Sequence, residues 1–150
     1  MGGAWRRIHD IFERAGATNV TWVWSPYVES GSTHPIDGLY PGDDVVDLLG
    51  VDGYNWGTYR KHSWKHPDEV FGSTLARLRK LAKKPIVIAE TESAEQGGDK
   101  AKWIREFFRT VEKNPDVIAF VWFNLRAHTD WRITSSPSAR QAVAAEMSDT

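Results

Sequence analysis

Apolar positions recur along this chain with two periods, and the switches between them mark the expected elements. From Trp5 to Ala15 they fall three and four apart, with Ile8, Ile11, Phe12 and Ala15 on one helical face and Gly16 as the stop. Val20-Thr21-Trp22-Val23-Trp24 is β-branched and aromatic, and reads as a strand over Asn19 to Trp24 closed by Ser25-Pro26. A long loop rich in Gly, Ser and Pro runs from Tyr27 to Gly42, and Asp43 and Asp44 start a short helix through Asp47. Leu48 to Asp52 is a second strand, ending in Gly53-Tyr54-Asn55-Trp56-Gly57. A polar loop leads through Trp64 to His66. Pro67 and Asp68 then open a helix to Ala82 whose apolar face is Val70, Phe71, Leu75, Leu78 and Leu81. Lys84-Pro85 introduces a third strand, Ile86 to Ala89, which delivers Glu90 into a loop; the loop Glu92 to Gly98 follows. Asp99 caps a helix to Lys113 with Trp103, Ile104, Phe107, Phe108 and Val111 buried, and Asn114-Pro115 breaks it. Val117 to Phe123 is the fourth strand. A loop through Asp130-Trp131-Arg132 leads to Ser136-Pro137, which start a last helix carrying Ala139, Ala142, Val143 and Met147.

The order is one helix followed by four strand–helix units, which implies a parallel sheet with right-handed crossovers. A doubly wound sheet and a (β/α) barrel both fit. No Gly-x-Gly-x-x-Gly follows any strand, so a dinucleotide fold has no support. Every strand ends in a polar or aromatic loop, which suits the catalytic face of a barrel. A closed barrel needs eight strands and roughly 250 residues. This chain has 150 and reads as the second half of one, a single partial domain over residues 1–150 with no linker.

Composition narrows the chemistry. A formal net charge of -1 without a basic stripe disfavours nucleic acid as a partner. The chain lacks cysteine, so disulfides and thiolate metal sites are excluded, and its five histidines show no metal spacing; no metal and no cofactor are expected. No run is long and apolar enough for a membrane, and Met1-Gly2-Gly3-Ala4 runs into Trp5-Arg6-Arg7 without a signal-peptide pattern. The unusual feature is eight Trp beside four Tyr and six Phe, several of them just after strand-like runs. Sugar rings stack flat C–H faces on indoles while their hydroxyls need polar partners, so aromatics mixed with Asp, Asn, Arg and Glu fit a carbohydrate. Glu90, at the end of an apolar strand, is the candidate nucleophile or general acid/base. The plain alternative is an N-terminal charge for the next helix or a solvated loop residue.

Five motifs in order, Gly16-Ala17-Thr18-Asn19-Val20-Thr21-Trp22-Val23-Trp24-Ser25-Pro26, Tyr40-Pro41-Gly42-Asp43-Asp44, Asp52-Gly53-Tyr54-Asn55-Trp56-Gly57, Ile88-Ala89-Glu90-Thr91 and Asp130-Trp131-Arg132, resemble glycoside hydrolase family 26. The resemblance covers Trp5 to about Ala144. It implies a (β/α)8 TIM-type barrel, with this chain supplying strands five to eight, and a retaining glycosidase, best known as an endo-β-1,4-mannanase, although relatives also cut β-1,3-xylan and mixed-linkage β-glucan. It assigns the nucleophile to Glu90, a hydrogen bond onto that nucleophile to Tyr54, the floor under the reacting sugar to Trp122, and the lining of the sugar cleft to Trp24. The family's acid/base Glu, in a His-Glu motif after the fourth strand, has no counterpart; the chain is expected to begin just after it and to be inactive alone. The implied partner is a plant-type β-linked polysaccharide, with a secreted parent enzyme and pairing with a missing half-barrel or self-association. A non-catalytic carbohydrate-binding half-barrel is the alternative. Glu92 departs from the family, whose members usually carry Gly there. Beside Glu90 it is expected either to raise the pKa of one of the two carboxyls or to point to solvent.

The remaining candidates carry structural and functional readings. Trp56 and Trp64 fit sugar platforms or loop anchors. Asp52 fits a substrate contact or a backbone brace. Asp130 and Arg132 fit a mutual ion pair, a cap for the last helix or, with Trp131, the binding cleft. His128 is the histidine placed to touch substrate, and His9, His34, His62 and His66 read as surface or loop residues. Trp5 and Trp103 read as core, and Trp22 as barrel filling with Trp24 nearer the mouth.

Overall fold

The computed structural model of the chain describes residues 2–29 and 36–148, so His34 and the middle of the Tyr27–Gly42 loop lie outside the described residues. The elements are α1 (Gly2–Arg14), β1 (Val23–Trp24), β2 (Leu48–Asn55), α2 (Pro67–Leu81), β3 (Ile86–Ser93), α3 (Lys100–Glu112), β4 (Val117–Trp122) and α4 (Pro137–Ser148). The strands form one sheet in the order β1-β2-β3-β4, all pairs parallel. This is an α/β half-barrel.

Local chemistry sets the helix starts. Pro67 opens α2, where the Glu69 carboxylate accepts from the His66 N–H at 2.8 Å; the Asp99 carboxylate caps α3 by accepting from the Lys102 N–H at 2.9 Å. One face of α2 and one of α3 then bury Val70, Phe71, Leu75, Leu78, Trp103, Ile104 and Phe107 against Leu49, Val51, Ile86 and Ile88 of the sheet. The Trp103 indole N–H donates to the Lys65 carbonyl at 2.9 Å, so this large side chain is buried without an orphaned donor.

Several expectations are corrected. β1 pairs over only two residues: the Trp22 N–H goes instead to the Asp47 carboxylate at 2.7 Å. The connection from β1 to β2 has no α-helix among its described residues, only two short 3-10 helices, Ile36–Leu39 and Asp43–Val45. Trp22 does not fill a barrel interior; its ring stands among those of Trp5, His9 and Phe12 on α1, 5.2–5.6 Å away. The apolar face of α1 remains largely open, with Ile8, Ile11 and Phe12 exposed. Glu90 and Glu92 lie inside β3, which runs four residues beyond Ala89, rather than in a loop.

Helices cover one side of the sheet. On the other side Ala119 and Val121 of β4 are exposed, and Ile118, the extra residue at a register shift, is 57% exposed. The candidate site lies at the strand ends, where β2 and β3 bring Tyr54 and Glu90 together.

Candidate active site at the strand ends

The site begins with a β-bulge. Residues 86 and 88 of β3 face the helices, and strict alternation would put Glu90 on that same side. The pairing of β2 with β3 shifts instead: Val51 lies opposite Ile88 and Asp52 opposite Glu90, so Ala89 is an extra residue. The bulge turns Glu90 to the open side of the sheet.

β2 delivers its partner. Gly53 faces α2 so closely that a Cβ there would lie 2.6 Å from Phe71, which leaves Tyr54 on the opposite, open side. The Tyr54 hydroxyl donates a short hydrogen bond to the Glu90 carboxylate. Burial, reinforced by this bond and the charge of Glu90, pushes the Tyr54 phenol well above its ordinary value, so it stays a neutral donor. Asp52, in register with Glu90, accepts from the Ser25 hydroxyl at 2.8 Å. Burial holds its carboxyl above the usual range, the Ser25 bond opposes that, and the nearby Glu90 adds to it.

Aromatic rings enclose the pair. Around Tyr54 lie Trp131 at 5.3 Å, Trp56 at 5.9 Å, Phe123 edge-on at 5.9 Å and Tyr27 stacked at 6.3 Å. Trp56 is the hub: its indole N–H donates to the Tyr27 hydroxyl at 3.0 Å, and the rings of Tyr59, His62, His128 and Trp131 lie within 6.2 Å. A pocket beside the cluster is lined by Tyr27, Glu29, Tyr54, Trp56, His62 and Lys65.

Of the residues expected at the site, the structure brings together Glu90, Tyr54, Asp52, Trp56, Trp131 and His128. Arg132 sits at the rim in a bidentate pair with Asp130, at 2.6 and 2.8 Å, and that pair holds the Asp130 carboxyl down to about 2. Trp24 and Trp122 are not brought to the cluster. Trp24 is 8% exposed, in register with Leu49 in the helix-side core, with Tyr40 edge-on at 5.1 Å. Trp122 stands against Trp103 and Phe107 of α3, and its indole N–H donates to the Trp131 carbonyl at 3.2 Å. Its neighbour Phe123 holds the cleft-side position, as alternation along a strand requires.

Glu92 neither points to solvent nor owes its shift to Glu90. It is fully buried and pairs with the equally buried Lys100 ammonium at 2.8 Å. Burial pushes its carboxyl up to about 9, with Lys100 pulling the other way. Its second oxygen has no hydrogen-bond partner.

Asn55, Lys100, Phe123 and Tyr27 are residues that the sequence reading passed over. Asn55 is buried; its amide donates to the Ser93 hydroxyl at 2.9 Å, and its carbonyl oxygen accepts from the Gly57 and Lys65 N–H groups at 3.1 and 3.0 Å. A buried polar residue between Tyr54 and Trp56 in one motif was the available signal. Among the described residues there is no group of His, Asp and Glu able to hold a metal ion, and no helix long and apolar enough to cross a membrane.

The chain is 44% identical to Endoglucanase H of Acetivibrio thermocellus over 97% of its own length but only 17% of that protein's. Its fold superposes on a GH26 β-mannanase from Bacteroides ovatus with a TM-score of 0.68 and 26% identity, covering 95% of this chain and 41% of that one. A GH128 endo-β-1,3-glucanase from Sorangium cellulosum shares the fold at a TM-score of 0.60 and 16% identity, over 94% of this chain and 59% of that one. The chain therefore spans less than two thirds of each of these three proteins. The sequence model of glycosyl hydrolase family 26 matches residues 4–107, and the chain belongs to that family.

Proposed function

We propose that this chain supplies the nucleophile half of a retaining β-glycanase active site, with Glu90 as the attacking carboxylate. The observation that carries the reading is the Tyr54 hydroxyl seated on Glu90 at the end of a bulged strand, inside an aromatic ring of Tyr27, Trp56, Phe123 and Trp131. Tyr54 occupies one carboxylate oxygen and leaves the other free to attack the anomeric carbon and form a glycosyl ester. Retention requires a second carboxyl about 5–5.5 Å away to protonate the departing oxygen. Asp52 is poorly suited, being already committed to Ser25 on the strand beside Glu90. The acid is therefore assigned to the other half-barrel. Water then hydrolyses the ester.

The substrate class is a β-linked plant-type polysaccharide, with β-mannan first. The 44% identical relative is named an endoglucanase, which favours β-glucan as the second candidate. A polymer of this kind is met outside the cell, so the parent enzyme is assigned to the secreted fraction.

The test supplies the chain with a half-barrel carrying a His-Glu motif and measures release of reducing sugar from β-mannan and mixed-linkage β-glucan. Retaining hydrolysis is expected from the pair and none from either half. Glu90→Gln should abolish it. Full activity of the Glu90→Gln pair would overturn the assignment.

A further inference from the structure

Three successive carbonyls of the loop after β4 are held by side chains. The Lys100 ammonium, at the first turn of α3, donates to the Asp130 carbonyl at 3.4 Å and the Arg132 carbonyl at 3.0 Å. The Trp122 indole N–H takes the carbonyl between them, that of Trp131. The third donor of Lys100 goes to Glu92 at 2.8 Å, so the buried ammonium spends its whole donor capacity on one strand end and one loop. Trp131, bracketed by these contacts, is 2% exposed and packs on Tyr54 at 5.3 Å and Trp56 at 5.0 Å. Tyr54 in turn holds Glu90.

We propose that Lys100 is a positioning residue for the active site: by clamping the carbonyls on either side of Trp131 to Glu92 of β3, it sets Trp131 against Tyr54 and thereby the orientation of Glu90. This rests on the reading of Glu90 as nucleophile. A purely structural role is the competing account, because burying an ammonium and a carboxyl together seldom adds net stability, and an apolar pair of similar volume serves the fold as well. The two accounts differ in what such a pair does. Apolar side chains fill the space, but they cannot donate to the carbonyls of Asp130 and Arg132.

The experiment compares Lys100→Met, the double variant Lys100→Met with Glu92→Leu, and Glu92→Gln, which keeps an acceptor for the ammonium. Each 150-residue variant is measured for melting temperature, for the near-ultraviolet dichroism of the packed indoles, and for labelling of Glu90 by 2-deoxy-2-fluoro-β-mannosyl fluoride. In that reaction the carboxylate displaces fluoride and forms an ester read by intact mass. Lys100→Met should lower the melting temperature, change the dichroism and slow labelling by at least tenfold. The double variant should recover the melting temperature but neither the dichroism nor the labelling. Glu92→Gln should keep labelling within about threefold of the parent. A double variant that recovers all three readouts, or a Lys100→Met chain with parental dichroism and labelling, would overturn the proposal. If the parent chain is not labelled, the labelling is repeated on its pair with the His-Glu half-barrel; a pair that is not labelled overturns the nucleophile reading alone, and the dichroism of the double variant still decides whether Lys100 positions Trp131.

Discussion

Glu90 and Glu92 sit two residues apart on one strand and meet opposite environments. The first is half-buried and receives a hydroxyl; the second is sealed with an ammonium. Their variants should separate cleanly. Tyr54→Phe removes a hydrogen bond to a charged acceptor, worth about 1.5–3 kcal/mol. The reconstituted enzyme should lose roughly 10- to 100-fold in kcat/KM on β-mannan, and an unchanged kcat/KM would exclude a catalytic use of this contact. Glu92 should leave its mark on pH dependence. Its folded pKa is raised from the ordinary 4.5 to about 9, so the native state binds the proton more tightly than the unfolded chain. That contribution is complete below the ordinary value and is lost as pH rises through about 9. Asp37, Asp44, Asp116 and Asp130, held low by arginines, act in the opposite sense and weaken the fold only as pH falls into the acid range. Urea midpoints from pH 5 to 9.5 should therefore decline for the parent chain and flatten for Glu92→Gln; parallel profiles would place the titrating group elsewhere.

At the scale of elements, β2 and its turn form the rigid unit of the site. Asn55 satisfies the N–H groups of Gly57 and Lys65 and ties β2 to Ser93 of β3. Asn55→Ala leaves those buried groups without partners, at about 1–3 kcal/mol each. A fall in stability of about 3 kcal/mol and loss of the Trp56 contacts in near-ultraviolet dichroism are expected. The Asp52-to-Gly57 motif was legible before any geometry through the family resemblance, although Asn55 within it was passed over. The helices α2 and α3 were legible too, because their capping residues and 3.6-residue periodicity agree. The side of the sheet that each strand residue faces was not legible. Strict alternation fails at Ala89, where one extra residue decides that Glu90 meets Tyr54. The family resemblance assigned Trp24 and Trp122 to the sugar cleft, yet they share the helix side with Leu49 and Phe107. Lys100 reads in the sequence as an ordinary first-turn lysine, because its partners, Glu92 and the carbonyls of Asp130 and Arg132, come together only through the fold.

The whole molecule is a parallel sheet clothed on one side. Parallel sheets are otherwise almost always covered on both faces, by helices or by closure into a barrel. Among the described residues, Ala119 and Val121 look out from the unclothed face, Ile118 stands exposed at the register shift, Ile8, Ile11 and Phe12 are exposed on α1, and β1 and β4 each have an edge with no paired strand. A free strand edge next to exposed aliphatic side chains is a template for another chain. The 150-residue chain on its own should therefore associate with itself, and its melting temperature should rise with concentration because association stabilises the folded form by mass action. Charged substitutions on the bare face, Ala119→Lys with Val121→Glu, should shift the population toward monomer and lower the melting temperature at high concentration, while leaving the helix-side core intact. Sedimentation velocity across a hundredfold concentration range is the measurement. A single monomeric species throughout, with a sharp concentration-independent melt, would mean that this half-barrel satisfies its edges within one chain.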